Sequence, residues 1–160
     1  MKQLVGIAAQ IAAKLIERKQ TIAVAESSTG GLISAALLAV PGASAYFLGG
    51  GVIYTRDARR ILMDIPDEAM KGIRSASEPY AKLLASQIRK RFSCDWGLSE
   101  TGATGPTGNR YGDAAGHSCI GVAGLEPSAM TLETGSTDRV ANMHVFASTA
   151  LNFLLQNLAR

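Results

Sequence analysis

The chain has 160 residues, of which 47% are hydrophobic and 18% are charged, and its formal net charge is +3. This length suits one well-buried domain and is short for two, so we expect a single domain over residues 1–160. No apolar run reaches the roughly 18–20 residues that a membrane span requires. The densest basic cluster, RKRF at 89–92, is interpreted as a solvated helix end rather than as a nucleic-acid-binding patch.

The first 19 residues resemble a signal peptide only in their apolar content. Their apolar positions are spaced helically, they are interrupted by Gln10, Lys14 and Glu17, and no cleavage site follows. We therefore expect a cytoplasmic protein that binds neither membranes nor nucleic acids. The low charge is typical of a homo-oligomer, which we expect, although a surface rich in neutral Ser, Thr and Gly would give the same composition.

The N-terminal half alternates helical and strand patterns. A 3,4 spacing of apolar residues predicts a first helix over 2–18, and TIAVA at 21–25 is short and β-branched enough to be a strand. A second helix is predicted from about Gly30 to the residues before VPGAS. GGGVIYT at 49–55 predicts the next strand, and RDARRILMDI at 56–65 predicts a helix that Pro66 ends.

The C-terminal half begins with a helix opened by Ser77-Glu78-Pro79 and running to about Arg91, because proline is harmless in a first helical turn. The elements predicted after it are a strand at 95–101, a Gly-rich loop to about Gly116, an antiparallel strand pair at 117–124 and 129–135, and a helix from about Asp138 to Leu158. Strands alternating with helices predict a three-layer α/β/α sandwich with a sheet of about five strands, buried on both faces. The late strand pair makes that sheet mixed.

The stretch VAESSTGG at 24–31 joins the first strand to the second helix with polar residues. Any one of its three hydroxyls is able to cap the free N–H groups of that helix. However, ligands of open α/β sheets bind beyond the carboxyl ends of strands, where helix N-termini present N–H groups to anions. We therefore predict that this turn lines a small-molecule site, through Glu26, Ser27, Ser28, Thr29, Gly30 and Gly31. A serine here is a nucleophile only with a base within reach.

The stretch at 100–117 is a second candidate for the site. It follows a strand and carries five glycines, and loops longer than about 12 residues are functional or disordered in most cases. Its Gly-rich backbone is suited to binding a phosphate or carboxylate, but the stretch lacks the residue spacing of a P-loop that binds nucleoside triphosphates. The GPTG turn favours a rigid loop over a mobile one. The residues expected to bind ligand are Thr104, Gly105, Pro106, Thr107 and Gly108.

The stretch VIYTRDARR at 52–60 supplies the third candidate. Tyr54 is predicted at the end of a strand and Arg59 on the helix after it, from where its charge would face an anion in the site. The alternative is a half-buried strand tyrosine beside solvated arginines. Arg139, at the start of the last helix, is a weaker candidate for the same role. Cys94 and Cys119 lack metal spacing and are predicted to be buried free thiols, so neither a metal nor a cofactor is expected.

These stretches together resemble the CinA C-terminal domain family, whose stand-alone members include nicotinamide-nucleotide amidases. AESSTGG is similar to the family's AESCTGG, GGVIYTRDARRILMDI to its GG-x-x-x-YSNEAK-x-x-LLGV, SEP to its VSEP, and TGATGPTG to its SGIAGPxG. Asp138-Arg139 falls where the family has Gly-Asp-Arg. The four ordered motifs cover nearly the whole chain, and the resemblance implies an α/β/α sandwich with a mixed sheet.

The resemblance also implies an activity, which is hydrolysis of the carboxamide of nicotinamide mononucleotide without a metal. Carried over by position, the serine nucleophile is Ser27, the nearby tyrosine is Tyr54, and the family's lysine falls on Arg59. An arginine side chain stays protonated in proteins and so does not replace lysine as a base. Ser28 stands for the family's cysteine, and two cationic positions of the family are absent here.

Three hypotheses follow. The chain is an amidase acting on nicotinamide mononucleotide or a related amide, or a non-catalytic relative that binds a nucleotide or other anion, or an assembly domain with a vestigial pocket.

Overall fold

The computed structural model describes all 160 residues of the chain. In chain order its elements are α1 (Lys2–Arg18), β1 (Ile22–Glu26), α2 (Leu32–Leu38), β2 (Phe47–Val52), α3 (Arg56–Met63), α4 (Glu78–Phe92), β3 (Trp96–Ala103), β4 (His117–Ala123), β5 (Ser128–Glu133) and α5 (Arg139–Leu158). The predicted alternation of helices and strands, followed by a strand pair and a last helix, is confirmed.

The five strands form one mixed sheet in the order β2-β1-β3-β4-β5. β1 pairs in parallel with both β2 and β3, whereas β4 is antiparallel to β3 and to β5. Because β1, β2 and β3 run in one direction, their carboxyl ends meet at one edge of the sheet. The amino end of β4 lies at the same edge, which is where an open α/β sheet binds its ligands.

Helices cover both faces of the sheet, as the predicted three-layer sandwich requires. Successive side chains of a strand point to opposite faces, and β1 shows this clearly. Ile22 and Val24 enter a core of 21 residues that includes α1, α2 and α5. Ala23 and Ala25 enter a second core of nine residues that includes Met63 of α3 and three residues of α4. β1 is therefore buried along its whole length.

Helix α4 packs close to the sheet because two glycines face it. A Cβ atom on Gly97 of β3 would lie 2.0 Å from the carbonyl oxygen of Ala85, and one on Gly121 of β4 would lie 2.3 Å from that of Ala81. Neither position tolerates a side chain unless the helix moves away. The hydroxyl of Ser99 donates to the Ala81 carbonyl at 2.6 Å, which fixes the helix at this distance.

Two predicted boundaries were wrong. β2 ends at Val52, so Tyr54 lies beyond the strand rather than at its end. Tyr54 is 62% exposed, which excludes the alternative of a half-buried strand tyrosine. α2 begins at Leu32 rather than at about Gly30, because Gly30 and Gly31 have φ angles of +63° and +103°, outside the right-handed helical region.

Two further features bear on the sequence predictions. Cys94 and Cys119 are buried free thiols, as predicted. No helix of the chain combines the length and the apolar character that crossing a bilayer demands.

Candidate active site

The turn after β1 is held in place by two buried carboxylates, and one of them, Glu26, caps helix α2. Its carboxylate accepts hydrogen bonds from the N–H groups of Gly31, Ile33 and Ser34 at 2.8, 3.1 and 2.9 Å, and from the Ser34 hydroxyl at 2.7 Å. The cap of this helix is therefore an acid and not one of the three hydroxyls that the sequence suggested. The chain's own negative charge occupies the helix N-terminus, so that terminus does not offer a free anion site.

The second carboxylate, Glu100 of β3, was not identified from the sequence. It is fully buried and accepts the N–H groups of Ser27 and Thr29 at 3.1 and 3.0 Å. The hydroxyls of Ser28 and Ser118 donate to its Oε1 at 2.5 and 3.2 Å. Burial raises the pKa of Glu100, and these hydrogen bonds offset only part of that effect. The sequence feature that pointed to Glu100 was an acidic residue inside a predicted strand, in the segment LSET.

Thr29 links the two carboxylates. Its hydroxyl oxygen lies 2.7 Å from Oε1 of Glu26 and 3.1 Å from Oε2 of Glu100. A hydroxyl carries a single proton and donates to one acceptor at a time. The shorter distance assigns that proton to Glu26, which leaves Glu100 dependent on its other four donors. Thr29 is fully buried, and its N–H and hydroxyl groups form hydrogen bonds within the chain.

Ser27 opens into the larger of two neighbouring cavities at the carboxyl edge of the sheet. This cavity has a volume of about 610 Å³, and Tyr54, Arg59 and Gly102 line it as well. Ser27 is 9% exposed, and its Oγ makes no hydrogen bond within the chain. The three residues to which the family resemblance assigns catalytic roles thus border one hollow, but no base contacts the Ser27 hydroxyl.

Four arginines give the larger cavity a positive character. Arg56, Arg59, Arg74 and Arg110 line it, against a single acid, Asp67. Arg59 is 7% exposed; its Nε donates to the Ile65 carbonyl at 3.3 Å and its guanidinium pairs with Asp67. Asp67 also accepts two hydrogen bonds from Arg56, which hold the pKa of its carboxyl below the ordinary value.

A second cluster of charges lies across the cavity, between the segment before α4 and the Gly-rich loop. Arg74 donates to both carboxylate oxygens of Asp113, at 2.6 and 3.1 Å. The guanidinium carbons of Arg74 and Arg110 lie 5.3 and 5.2 Å from the ring centre of Tyr111. The hydrogen bond from Arg110 lowers the pKa of the Tyr111 phenol. This wall of the cavity is therefore an aromatic ring held by two cations.

His117, at the start of β4, packs against this wall of the cavity. One ring nitrogen pairs with the Glu133 carboxylate, and Nε2 lies 2.8 Å from the Ala76 carbonyl and 3.6 Å from Asp113. Burial alone would lower the pKa of His117, but the hydrogen bonds with Glu133 and Ala76 and the charge of Asp113 outweigh it, so that the pKa is raised. No cluster of His, Cys, Asp and Glu side chains is arranged to hold a metal ion.

The smaller cavity, of about 250 Å³, is formed by the Gly-rich loop. Tyr54, Gly102 and Asn109 line both cavities, so the two are neighbours. Arg139 borders the smaller one, donating to the Gly105 carbonyl and, at 3.4 Å, to the Tyr54 hydroxyl. The other residues of its lining are Ser28, Ala103, Thr104, Gly105, Thr107 and Gly108.

The predicted site residues thus fall into three groups. Ser27, Tyr54 and Arg59 border the larger cavity. Those bordering the smaller cavity are Ser28, Tyr54, Thr104, Gly105, Thr107, Gly108 and Arg139. Those bordering neither are Glu26, Thr29, Gly30, Gly31 and Pro106. Little in the sequence pointed to the most prominent lining residues that were not predicted, Arg74, Arg110 and Tyr111, because single arginines in a loop are common.

Known proteins share this architecture. Residues 5–158 match the family model described as the CinA C-terminal domain. The chain is 42% identical over 120 residues to a CinA-like protein of Synechococcus sp. (strain CC9902), which is 75% of this chain and 29% of the relative. It is 34% identical over 156 residues to a CinA-like protein of Trichodesmium erythraeum (strain IMS101), or 96% of this chain and 37% of that one.

A solved structure, the competence damage-inducible protein A from Klebsiella pneumoniae subsp. pneumoniae MGH 78578, superposes with a TM-score of 0.92 at 25% identity and covers 98% of both chains. The fold is thus a three-layer α/β/α sandwich with paired cavities at the carboxyl edge of its mixed sheet. The chain belongs to the CinA C-terminal domain family. It spans about a third of the length of the curated relatives that it matches, at 29% and 37% in the two cases above.

Proposed function

We propose that the chain is an amidohydrolase that removes ammonia from the carboxamide of a small phosphate-bearing molecule, with nicotinamide mononucleotide as the first substrate to test. The observation that carries the proposal is that Ser27 and four arginines border one cavity of about 610 Å³. A serine hydroxyl is a nucleophile toward an amide carbonyl, and guanidinium groups bind phosphate through two hydrogen bonds each. Cavities of this volume are typical of small-molecule sites.

The serines of the turn after β1 supply the nucleophile in this proposal, and Ser27 is the one that the family resemblance selects. Its oxygen would attack the carbonyl carbon to form a tetrahedral intermediate, and its proton would pass to the amide nitrogen. The C–N bond then breaks, which leaves an acyl-serine ester and ammonia. Water then hydrolyses the ester. Arg59 would contribute a positive charge whose position is fixed by Asp67 and the Ile65 carbonyl.

A second candidate function is binding of a nucleotide or other anion without catalysis. Two observations favour it. Arg59 stands at the position where the resemblance places a lysine base, and the Ser27 hydroxyl has no acceptor within the chain. In this case the arginines would act as an anion receptor alone.

An ammonia-release assay with nicotinamide mononucleotide separates the two candidates. The purified chain is compared with a variant carrying both Ser27→Ala and Ser28→Ala, and each is also heated with and without the nucleotide. If the unmodified chain releases ammonia and the double variant does not, the result supports the amidase. No release, with a melting temperature that rises with nucleotide concentration, supports the binding protein, because a ligand of the native state alone stabilises it. If neither ammonia release nor a shift in melting temperature is observed, both candidate functions are wrong.

A further inference from the structure

The four arginines that line the larger cavity differ in whether an acid of the chain is bonded to them. Three form ion pairs with carboxylates; they are Arg56 and Arg59, both with Asp67, and Arg74, with Asp113. Arg110 forms no ion pair, and its one hydrogen bond within the chain goes to the hydroxyl of Tyr111, a neutral acceptor, at 3.1 Å. Arg110 is therefore the lining arginine whose charge and remaining N–H groups are available to a ligand.

The turn that carries Arg110 is held by hydrogen bonds on both sides of it. The side-chain oxygen of Asn109 accepts the N–H groups of Tyr111 and Asp113 at 3.0 and 3.2 Å, and its Nδ2 donates to the Asp113 carboxylate at 2.8 Å. The backbone N–H of Asn109 donates to the Asp113 carbonyl at 3.1 Å, which closes the turn. Arg74 then ties Asp113 to the segment before α4. A cation on a turn that is fixed in this way loses less conformational freedom on binding than one on a mobile loop.

Tyr111 holds two guanidinium groups near each other, and only one of them is neutralised. The guanidinium carbons of Arg74 and Arg110 both lie within 5.3 Å of the Tyr111 ring centre. The carboxylate of Asp113 offsets the charge of Arg74, whereas Arg110 has no acid of its own. Like charges in such proximity repel each other, and an anion bound beside Arg110 would relieve that repulsion. The arrangement therefore favours a negatively charged ligand.

We infer that Arg110 is the residue that binds the phosphate of the ligand in the larger cavity, and that Tyr111 positions its guanidinium for this purpose. A guanidinium presents paired N–H groups that match two oxygens of a phosphate monoester. Ser27 lines the same cavity, whose volume of about 610 Å³ is within the range of small-molecule sites. The inference rests on the proposed function for the rest of the ligand but not for the phosphate itself.

This assignment makes Arg110 a determinant of specificity rather than a catalytic residue. Nicotinamide riboside carries the same carboxamide and ribose as nicotinamide mononucleotide but lacks the phosphate, so Arg110 should bind only the mononucleotide. The phosphate takes no part in breaking the C–N bond, and its contact with Arg110 is the same in the ground state and in the transition state. A contact of this kind lowers KM and leaves kcat unchanged.

Isothermal titration calorimetry of Arg110→Gln with both ligands tests the assignment. We expect the Kd for nicotinamide mononucleotide to rise by about 10–100-fold, the range for hydrogen bonds to a charged group, and the Kd for nicotinamide riboside to stay the same. Arg56→Gln is the matched control, because it removes an exposed arginine of the same cavity that is already bonded to Asp67. A loss of affinity in Arg56→Gln as large as that in Arg110→Gln, or a loss that is equal for the two ligands, overturns the inference.

Tyr111→Phe tests the positioning role of the tyrosine, because it keeps the ring and removes the hydroxyl to which Arg110 is bonded. We expect the Kd for the mononucleotide to rise several-fold and the Kd for the riboside to stay the same. A merely structural role would change both values together. An unchanged Kd for the mononucleotide would show that the ring holds Arg110 without the hydroxyl and would overturn this part of the inference.

Inorganic phosphate and turnover together distinguish a failure of this inference from a failure of the proposed function. We expect inorganic phosphate to bind the wild-type chain and not Arg110→Gln. In the ammonia-release assay, Arg110→Gln should raise KM for nicotinamide mononucleotide and leave kcat unchanged. Phosphate binding that depends on Arg110, without any ammonia release, supports the phosphate site and rejects the amidase. Ammonia release with a KM that Arg110→Gln does not change overturns the inference and leaves the amidase intact. If neither phosphate nor the mononucleotide binds the wild-type chain, the inference is wrong.

Discussion

Arg74 donates two hydrogen bonds, of 2.6 and 3.1 Å, to the carboxylate of Asp113 and so ties the segment before α4 to the Gly-rich loop. The two residues are 39 positions apart in the chain. The pair fixes the wall of the larger cavity on which Tyr111 lies between two guanidinium groups. This wall of the cavity is therefore held by an ion pair between two segments that are remote in the sequence.

Arg74→Ala removes one of the four cations that border the larger cavity. We expect the Kd for nicotinamide mononucleotide, measured by isothermal titration calorimetry, to rise about 10-fold, which corresponds to about 1.4 kcal/mol. The stability change should be small, since surface ion pairs contribute about 0–1 kcal/mol. Arg91→Ala is the matched control, because Arg91 borders neither cavity and lies 3.9 Å from its nearest acid, Asp64. An equal loss of affinity in the control would mean that the effect is one of net charge.

Arg59→Lys distinguishes a structural cation from a displaced base. The arginine uses two separate nitrogens, one for the Ile65 carbonyl and one for Asp67, and a lysine has only one. We expect no gain in kcat for ammonia release and a KM that is several-fold higher. A kcat raised more than about 10-fold would instead show that a lysine here is able to act as the general base for Ser27.

His117 makes stability depend on pH. Its pKa is raised in the folded chain, because the hydrogen bonds with Glu133 and Ala76 and the nearby Asp113 outweigh the opposing effect of burial. The stabilisation is thus complete below the unfolded value of about 6.5 and is lost as the pH rises through the folded pKa. We expect the melting temperature of the wild type to exceed that of His117→Asn near pH 6. This difference in melting temperature should shrink toward pH 9. His144→Asn, on the exposed side of α5, is the control. A difference that grows with pH would contradict the assignment.

Gly121→Ala tests the close approach of α4 to the sheet. The new Cβ would lie 2.3 Å from the Ala81 carbonyl oxygen, so the helix must shift, and we expect a loss of about 3 kcal/mol or more in the free energy of unfolding. Gly6→Ala is the matched control, because a Cβ on Gly6 of α1 meets no atom within 4 Å. There the substitution should stabilise the chain by about 0.5–1 kcal/mol. Urea denaturation measures both, and a near-neutral Gly121→Ala would show that the helix relaxes freely.

The order of the elements was predictable because it depends on local patterns. The 3,4 spacing over 2–18 gave the bounds of α1, and Ser77 with Pro79 marked the start of α4, where the Ser77 hydroxyl accepts the N–H of Tyr80. Parallel strands separated by helices placed the turn after β1, Tyr54 and the Gly-rich loop at one edge of the sheet. These inferences need only the chain's periodicity and the rule that parallel strands end together.

What each polar side chain does was decided by the tertiary structure alone. Glu26 and Glu100 are 74 residues apart, yet the Thr29 hydroxyl lies within 3.1 Å of both, and no local pattern shows that one acid caps a helix while the other is buried under the turn. Ser27 and Ser28 are neighbours in sequence but border different cavities. The reason is physical: the chemistry of a hydroxyl depends on which acceptor lies within about 3 Å, and here β3 and β4 bring that acceptor and its supporting donors from remote parts of the chain.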